Sequence, residues 1–196
     1  MKKILILLTM ISLPSYSDVS ANVSFASDYI WRGMTQSDGP AIQGGFDYAA
    51  ENGFYAGIWG SNVNFNDGAG SELDYYFGYG FTAGSIGVDI GYLAYDYPKN
   101  ETSLDFEEIY VGLSMGDLGL LFAMGQDGAP DYTEVSYGIG AVSLSYGQYD
   151  DYGDNLGISY GFGCGSYDCA LTYSDFSDDG YGGDEDALVF SVSASF

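Results

Sequence analysis

The chain has 196 residues and a formal net charge of −24, with 28 acidic residues against four basic ones and no histidine. So little positive charge excludes nucleic-acid binding through phosphate contacts. Twenty tyrosines, twelve phenylalanines and a 46% hydrophobic content exclude a solvated, disordered acidic tail, so the acids decorate a folded, aromatic-rich scaffold.

The first residues read as an export signal. Lys2 and Lys3 precede an apolar run, Ile4 to Leu13, that is too short to span a bilayer. Pro14 ends the run, and Ser15 and Ser17 straddle Tyr16 in a small-residue cleavage pattern. Cleavage is expected after Ser17, with Ala21 as second choice, leaving residues 18–196 as one domain. Arg32 and Lys99 are then the only basic side chains left. No later run approaches the ~20 apolar residues of a membrane helix, a criterion to which alternating barrel strands are invisible.

Thirty glycines and four prolines disfavour long helices. A period of two runs through the chain instead. The clearest case is Leu73, Tyr75, Phe77, Tyr79 and Phe81 against Glu72, Asp74, Gly78 and Gly80, followed by Ile86, Val88, Ile90 and Tyr92 against Gly87, Asp89 and Gly91. About twelve such segments are expected, over Val23–Trp31, Ala41–Ala50, Phe54–Phe65, Leu73–Ala83, Ile86–Tyr95 and Glu107–Met115. They continue over Leu118–Met124, Glu134–Gly140, Val142–Gln148, Leu156–Phe162, Asp168–Asp175 and Leu188–Phe196. Short connections alternate with longer polar ones at 33–40, 66–71, 96–103, 125–132, 149–155 and 176–186.

This pattern predicts an all-β, antiparallel up-and-down transmembrane barrel of about twelve strands, with both termini on the periplasmic side. A soluble β-sandwich would also alternate. The C-terminus favours the barrel: Phe190, Val192 and Phe196 alternate to a final phenylalanine, as in the terminal strands that barrel-assembly machinery recognises.

The run from Asn22 to Ala49, with Ser27-Asp28-Tyr29, Arg32-Gly33, Gln36-Ser37, Pro40-Ala41 and Gln43-Gly44, is followed by Gly53 to Val63. These roughly forty residues resemble the TorF-like, porin-designated family, also known as the Gcw-type conserved hypothetical family. The resemblance implies an outer-membrane porin-like barrel and no particular solute.

Strand parity nominates a lumen lining: Asp28, Arg32, Gln43, Asp47, Asn62, Asn64, Glu72, Asp74, Asp89, Glu108 and Glu134. On the first strand Val23, Phe25, Tyr29 and Trp31 are expected to face lipid. Trp31 joins the outer aromatic girdle, Met34 to Gly39 form the first external loop, and Arg32 pairs with Asp28 or Asp47. Acidic rings in a pore favour cations; simple solvation near the loops is the plain alternative for these carboxylates. Cys164 and Cys169 are expected to form a local disulfide.

No metal site and no cofactor are expected. The acidic loop from Asp175 to Asp186 lacks the spacing of an EF-hand and reads as solvated, meeting divalent cations of the outer leaflet. Without histidine, a Ser-His-Asp arrangement is impossible, and no enzyme is expected. The expected partners are outer-membrane lipid and lipopolysaccharide, the assembly machinery and small solutes diffusing through a narrow acidic lumen. A closed structural or adhesive barrel is the second reading.

Overall fold

The computed structural model describes residues 18–65, 68–99, 104–180 and 182–196. The expected export signal lies outside these residues, as do short stretches of three loops. In chain order the strands are β1 (Asp18–Ala26), β2 (Ile30–Trp31), β3 (Met34–Thr35), β4 (Ala41–Ala49), β5 (Phe54–Asn62), β6 (Ser71–Ala83) and β7 (Ile86–Asp96). They continue as β8 (Phe106–Met115), β9 (Leu118–Gly125), β10 (Tyr132–Ile139), β11 (Val142–Tyr149), β12 (Gly153–Cys164), β13 (Tyr167–Asp178) and β14 (Glu185–Ser195).

Twelve of these form a closed antiparallel barrel in which each strand pairs with its neighbour in sequence, apart from the small β2–β3 hairpin. β1 closes the ring: Phe25 lies opposite Ile42 of β4 on one side and Val192 of β14 on the other. Closure leaves no exposed strand edge. The last residue pairs with β1 at the rim with the short turns, where the Phe196 N–H donates to the Ala21 carbonyl at 2.8 Å and the Ala21 N–H donates to the Phe196 carbonyl at 3.0 Å. Cys164 and Cys169 are joined at the β12–β13 turn on that same rim, with Cα atoms 5.9 Å apart.

The alternation sorts the side chains across the wall. Outward positions carry large apolar residues, including Ile42 at 69% exposure, Phe46 at 63% and Leu188 at 65%. Inward positions carry Gly, Ser, Tyr and the carboxylates. A soluble barrel buries its large apolar residues inside, so the polarity of this wall is inverted.

The interior is not uniform. Between β5 and β8, tyrosines lie across glycines of adjacent strands: a Cβ on Gly57, Gly78 or Gly91 would collide with the ring or hydroxyl of Tyr76, Tyr55 or Tyr110 respectively. Their hydroxyls are paired, Tyr55 to Asp89 at 2.6 Å and to Tyr110, and Tyr76 to Asp47. The opposite wall, β11 to β14, points small residues inward, and Ser159 and Thr172 share a hydrogen bond of 2.8 Å across it. The barrel is filled from one side.

The first strand departs from expectation. β1 begins at Asp18 and ends at Ala26, five residues before the expected limit at Trp31. Val23 and Phe25 do face outward, but Tyr29 is buried inside the barrel. The chain leaves the wall because Asp28 finds partners nearby. Its carboxylate accepts from Ser37 Oγ at 2.8 Å, from Thr35 Oγ1 at 2.9 Å and from the Gly39 N–H at 3.4 Å. This ties both ends of residues 28–39 together, and the segment between them folds inward.

Gly91→Val should force Tyr110 off its seat and cost about 1–3 kcal/mol, as overpacking does. Gly163→Ala, where an added Cβ meets nothing within 4 Å, should change little. Urea unfolding of both variants refolded in detergent measures the difference.

Candidate functional site

The β2–β3 hairpin occupies the loop-side half of the lumen, and its turn residues explain its shape. Ile30 pairs with Thr35 and Trp31 with Met34, which leaves Arg32 and Gly33 as a two-residue turn. Their φ angles are +48° and +92°, the left-handed pair of a type I′ hairpin turn. Gly33 is required twice, for its φ and for space, since a Cβ there would come within 2.7 Å of Asn155 Cβ and 3.0 Å of Phe176 Cβ. Arg32 accepts a backbone conformation uncommon for a side-chain-bearing residue.

Its guanidinium is well compensated. Nη1 and Nη2 each donate to one carboxylate oxygen of Glu108, both at 2.7 Å, in a bidentate pair. The two side chains are only 7% and 2% exposed. The guanidinium carbon also lies 4.1 Å from the Tyr132 ring centre, 4.3 Å from Trp31 and 4.9 Å from Tyr149. Burial opposes the charge, but Tyr95 and the Glu108 carboxylate outweigh it, so the guanidinium is held more firmly protonated than usual. This is the one ion pair among the described residues.

Around it the aromatics interlock. Trp31 meets Tyr95, Phe106 and Tyr149 edge-on at 5.5–5.9 Å, and Tyr95 stacks on Phe106 at 4.2 Å. Tyr29 packs edge-on against Trp59 and donates to Glu72 Oε1 at 2.8 Å. Burial, with Glu72 beside it, raises the Tyr29 phenol well above its ordinary value, so it stays a neutral donor. On the hairpin's other side the Thr35 N–H donates to Glu185 Oε2 at 2.8 Å.

The structure brings some of the expected lumen residues into this site. Arg32, Glu72, Asp74, Glu108 and Glu134 all lie on the loop side of the interior, and Glu134 accepts from Tyr132 at 2.8 Å. Asp47 and Asp89 sit in the tyrosine layer, where Asp47 also accepts from Asn22 at 3.2 Å. Gln43 points inward between Ser24 and Ser61.

Other placements correct the sequence reading. Arg32 pairs with Glu108, not with Asp28 or Asp47, because the inward hairpin carries it across the lumen. Asp28 serves as the knot at the hairpin's base. Asn62 shares strand parity with Ile58 on the outer face, where it bonds the Pro40 carbonyl and the Ile42 N–H. Asn64 lies beyond the end of β5, and its N–H donates to the Gln36 carbonyl. Trp31 is no girdle residue, and Met34 to Gly39 form no simple external loop.

Sequence reasoning missed the aromatic lining of the lumen. Parity alone carried the signal: Tyr55, Trp59, Tyr76, Tyr95, Tyr110, Tyr132 and Tyr149 all fall on inward positions of their strands. So many large rings inside demand something to pack against.

A family model described as a bacterial protein of unknown function, Gcw_chp, matches residues 13–146. The chain belongs to this family. No curated protein matches it. The matched part holds the hairpin, Asp28 and every inward carboxylate of the site except Glu185. β12 to β14, with the disulfide, lie beyond it. The family description bears no porin designation.

Arg32→Ala should destabilise the barrel by about 3–5 kcal/mol, since it strands the buried Glu108 carboxylate. Pairing Arg32→Met with Glu108→Leu should recover most of that loss. Denaturant unfolding of the single and double variants in one detergent compares them.

Proposed function

We propose that this protein is an outer-membrane barrel forming a narrow, acidic, porin-like channel that favours small cations. The inverted polarity of the wall carries this reading. Large apolar side chains cover the outside of strands 8–13 residues long, close to the 9–11 that a tilted strand needs to cross a bilayer. Carboxylates and hydroxyls line the inside. Lipid and lipopolysaccharide would contact the outer face, and Phe190, Val192 and Phe196 on the outward side of the last strand would present the assembly signal.

Selectivity follows from charge balance. Inward Asp47, Glu72, Asp74, Asp89, Glu108 and Glu134 face a single guanidinium, and rings of carboxylates favour cations. Passive diffusion requires no catalytic group, in keeping with a chain that has no histidine.

The inward hairpin favours a second reading, a closed structural barrel. Single-channel recording separates the two. The channel reading expects small steps with a reversal potential shifted toward the cation, and a larger conductance when Tyr29–Gln36 is removed. Silence in the native protein at every voltage would support the closed barrel, and an anion preference would overturn the selectivity. Heat-modifiable gel mobility tests the membrane barrel itself: the unboiled protein is expected to migrate faster than the boiled one.

A further inference from the structure

The ion pair leaves a charge problem on β6, two strands along the wall from Glu108. Glu72 and Asp74 stand two residues apart on the inward face of β6, 1% and 8% exposed. Glu72 Oε2 and Asp74 Oδ1 are both buried without a hydrogen-bond partner. Arg32 is already paired with Glu108 through Nη1 and Nη2, and Lys99 is exposed. Buried carboxylates without a counter-charge are strongly disfavoured, so this pair calls either for a cation or for protons on the carboxyls.

The geometry points to a binding site for a hard divalent cation of the calcium class, formed by the carboxylates of Glu72 and Asp74 beneath the hairpin. The donors are all oxygen, which selects hard cations over thiophilic ones. Two carboxylates match a double positive charge. Tyr29, bonded to Glu72, and Tyr97, whose phenol adjoins Glu72, offer further oxygens. Among the described residues no group of three acidic, histidine or cysteine side chains converges, so the rest of the shell falls to phenol and backbone oxygens and to water. Sequence alone gives no hint of this site. Acids at i and i+2 on a strand are ordinary until a hairpin seals them from water. The site goes beyond the channel reading and does not need the lumen to conduct.

Terbium luminescence on the full chain refolded in detergent tests it, with Trp59 and Tyr29 as sensitisers. Sensitised emission should saturate, be chased by calcium chloride, and fall in affinity by at least about tenfold in a Glu72→Gln/Asp74→Asn variant. Asp178→Asn/Asp184→Asn, in the exposed acidic loop, should leave it unaltered. Calcium should also raise the thermal midpoint of the native protein and not that of the Glu72/Asp74 variant. Emission that survives in the Glu72/Asp74 variant but disappears in the loop variant would overturn the site, as would the absence of saturable binding to the native protein. Infrared spectroscopy needs no variant. Loss of a protonated-carboxyl stretch on adding calcium supports the site, whereas persistence of that band in saturating calcium shows that protons supply the missing charge. Conductance takes no part in these readouts, so the site and the channel stand or fall separately.

Discussion

The buried pair between Arg32 and Glu108 is the contact on which the interior depends. It places a guanidinium from the hairpin tip against a carboxylate of β8, with both side chains almost wholly removed from water. Neither charge is tolerable there alone, since each would forfeit its hydration without compensation. The pair therefore sets where the hairpin ends, and the hairpin sets what remains of the lumen. Arginine suits this position better than lysine would. Its planar fork meets both carboxylate oxygens at once, and its faces stack on Trp31, Tyr132 and Tyr149. A lysine ammonium could match the charge but not the two parallel bonds.

The same economy of positive charge shapes the rest of the interior. With one guanidinium inside, the other inward carboxylates must find donors among neutral groups, and tyrosine is the available one. Asp47, Glu72, Asp89 and Glu134 each accept from a phenol. A phenol is a large donor, so each such bond brings a ring into the barrel, and each ring needs room. Glycine on the neighbouring strand provides that room at Gly57, Gly78 and Gly91. The inward tyrosines and the glycines beside them at 57, 78 and 91 thus have one cause: acidic side chains hydrogen-bonded in a confined space with almost no cations.

The outer half of this arrangement is legible in the sequence, and the inner half largely is not. Outward residues alternate with strict period two, and the pattern from Leu73 to Tyr92 fixes faces, strands and short turns without reference to any other part of the chain. The disulfide spacing is likewise local. The hairpin is different. Residues 29–36 continue the alternation of β1 well enough that Tyr29 and Trp31 look like outward residues of a longer strand. What turns them inward is a knot at Asp28 and a partner 76 positions away at Glu108, and no local period encodes either. Asn62 fails for a related reason: at the last residue of a strand, polarity no longer reports which face it occupies. The inward tyrosines could have been found, because parity placed them inside. Their number alone implied that the lumen had something to hold.

The turn at the hairpin tip shows how that long-range partner is built into a short sequence. A type I′ turn ordinarily favours Asn, Asp or Gly at its first central position, yet Arg32 holds φ +48° there. Such a backbone costs of order 1–3 kcal/mol and persists only where its surroundings over-determine it. Here they do: a bidentate ion pair and three aromatic faces act on the guanidinium, and Gly33 wedges against Asn155 and Phe176 on the far wall. β12 and β13, which supply that wall, lie outside the matched family segment, whereas β8, β10 and β11, which hold the guanidinium, lie within it or begin there. The charge contacts and the steric backstop therefore come from separable parts of the chain. The hairpin is aimed by the first and stopped by the second, and Tyr132, which lies against the guanidinium and donates to Asn155 at 3.2 Å, links the two.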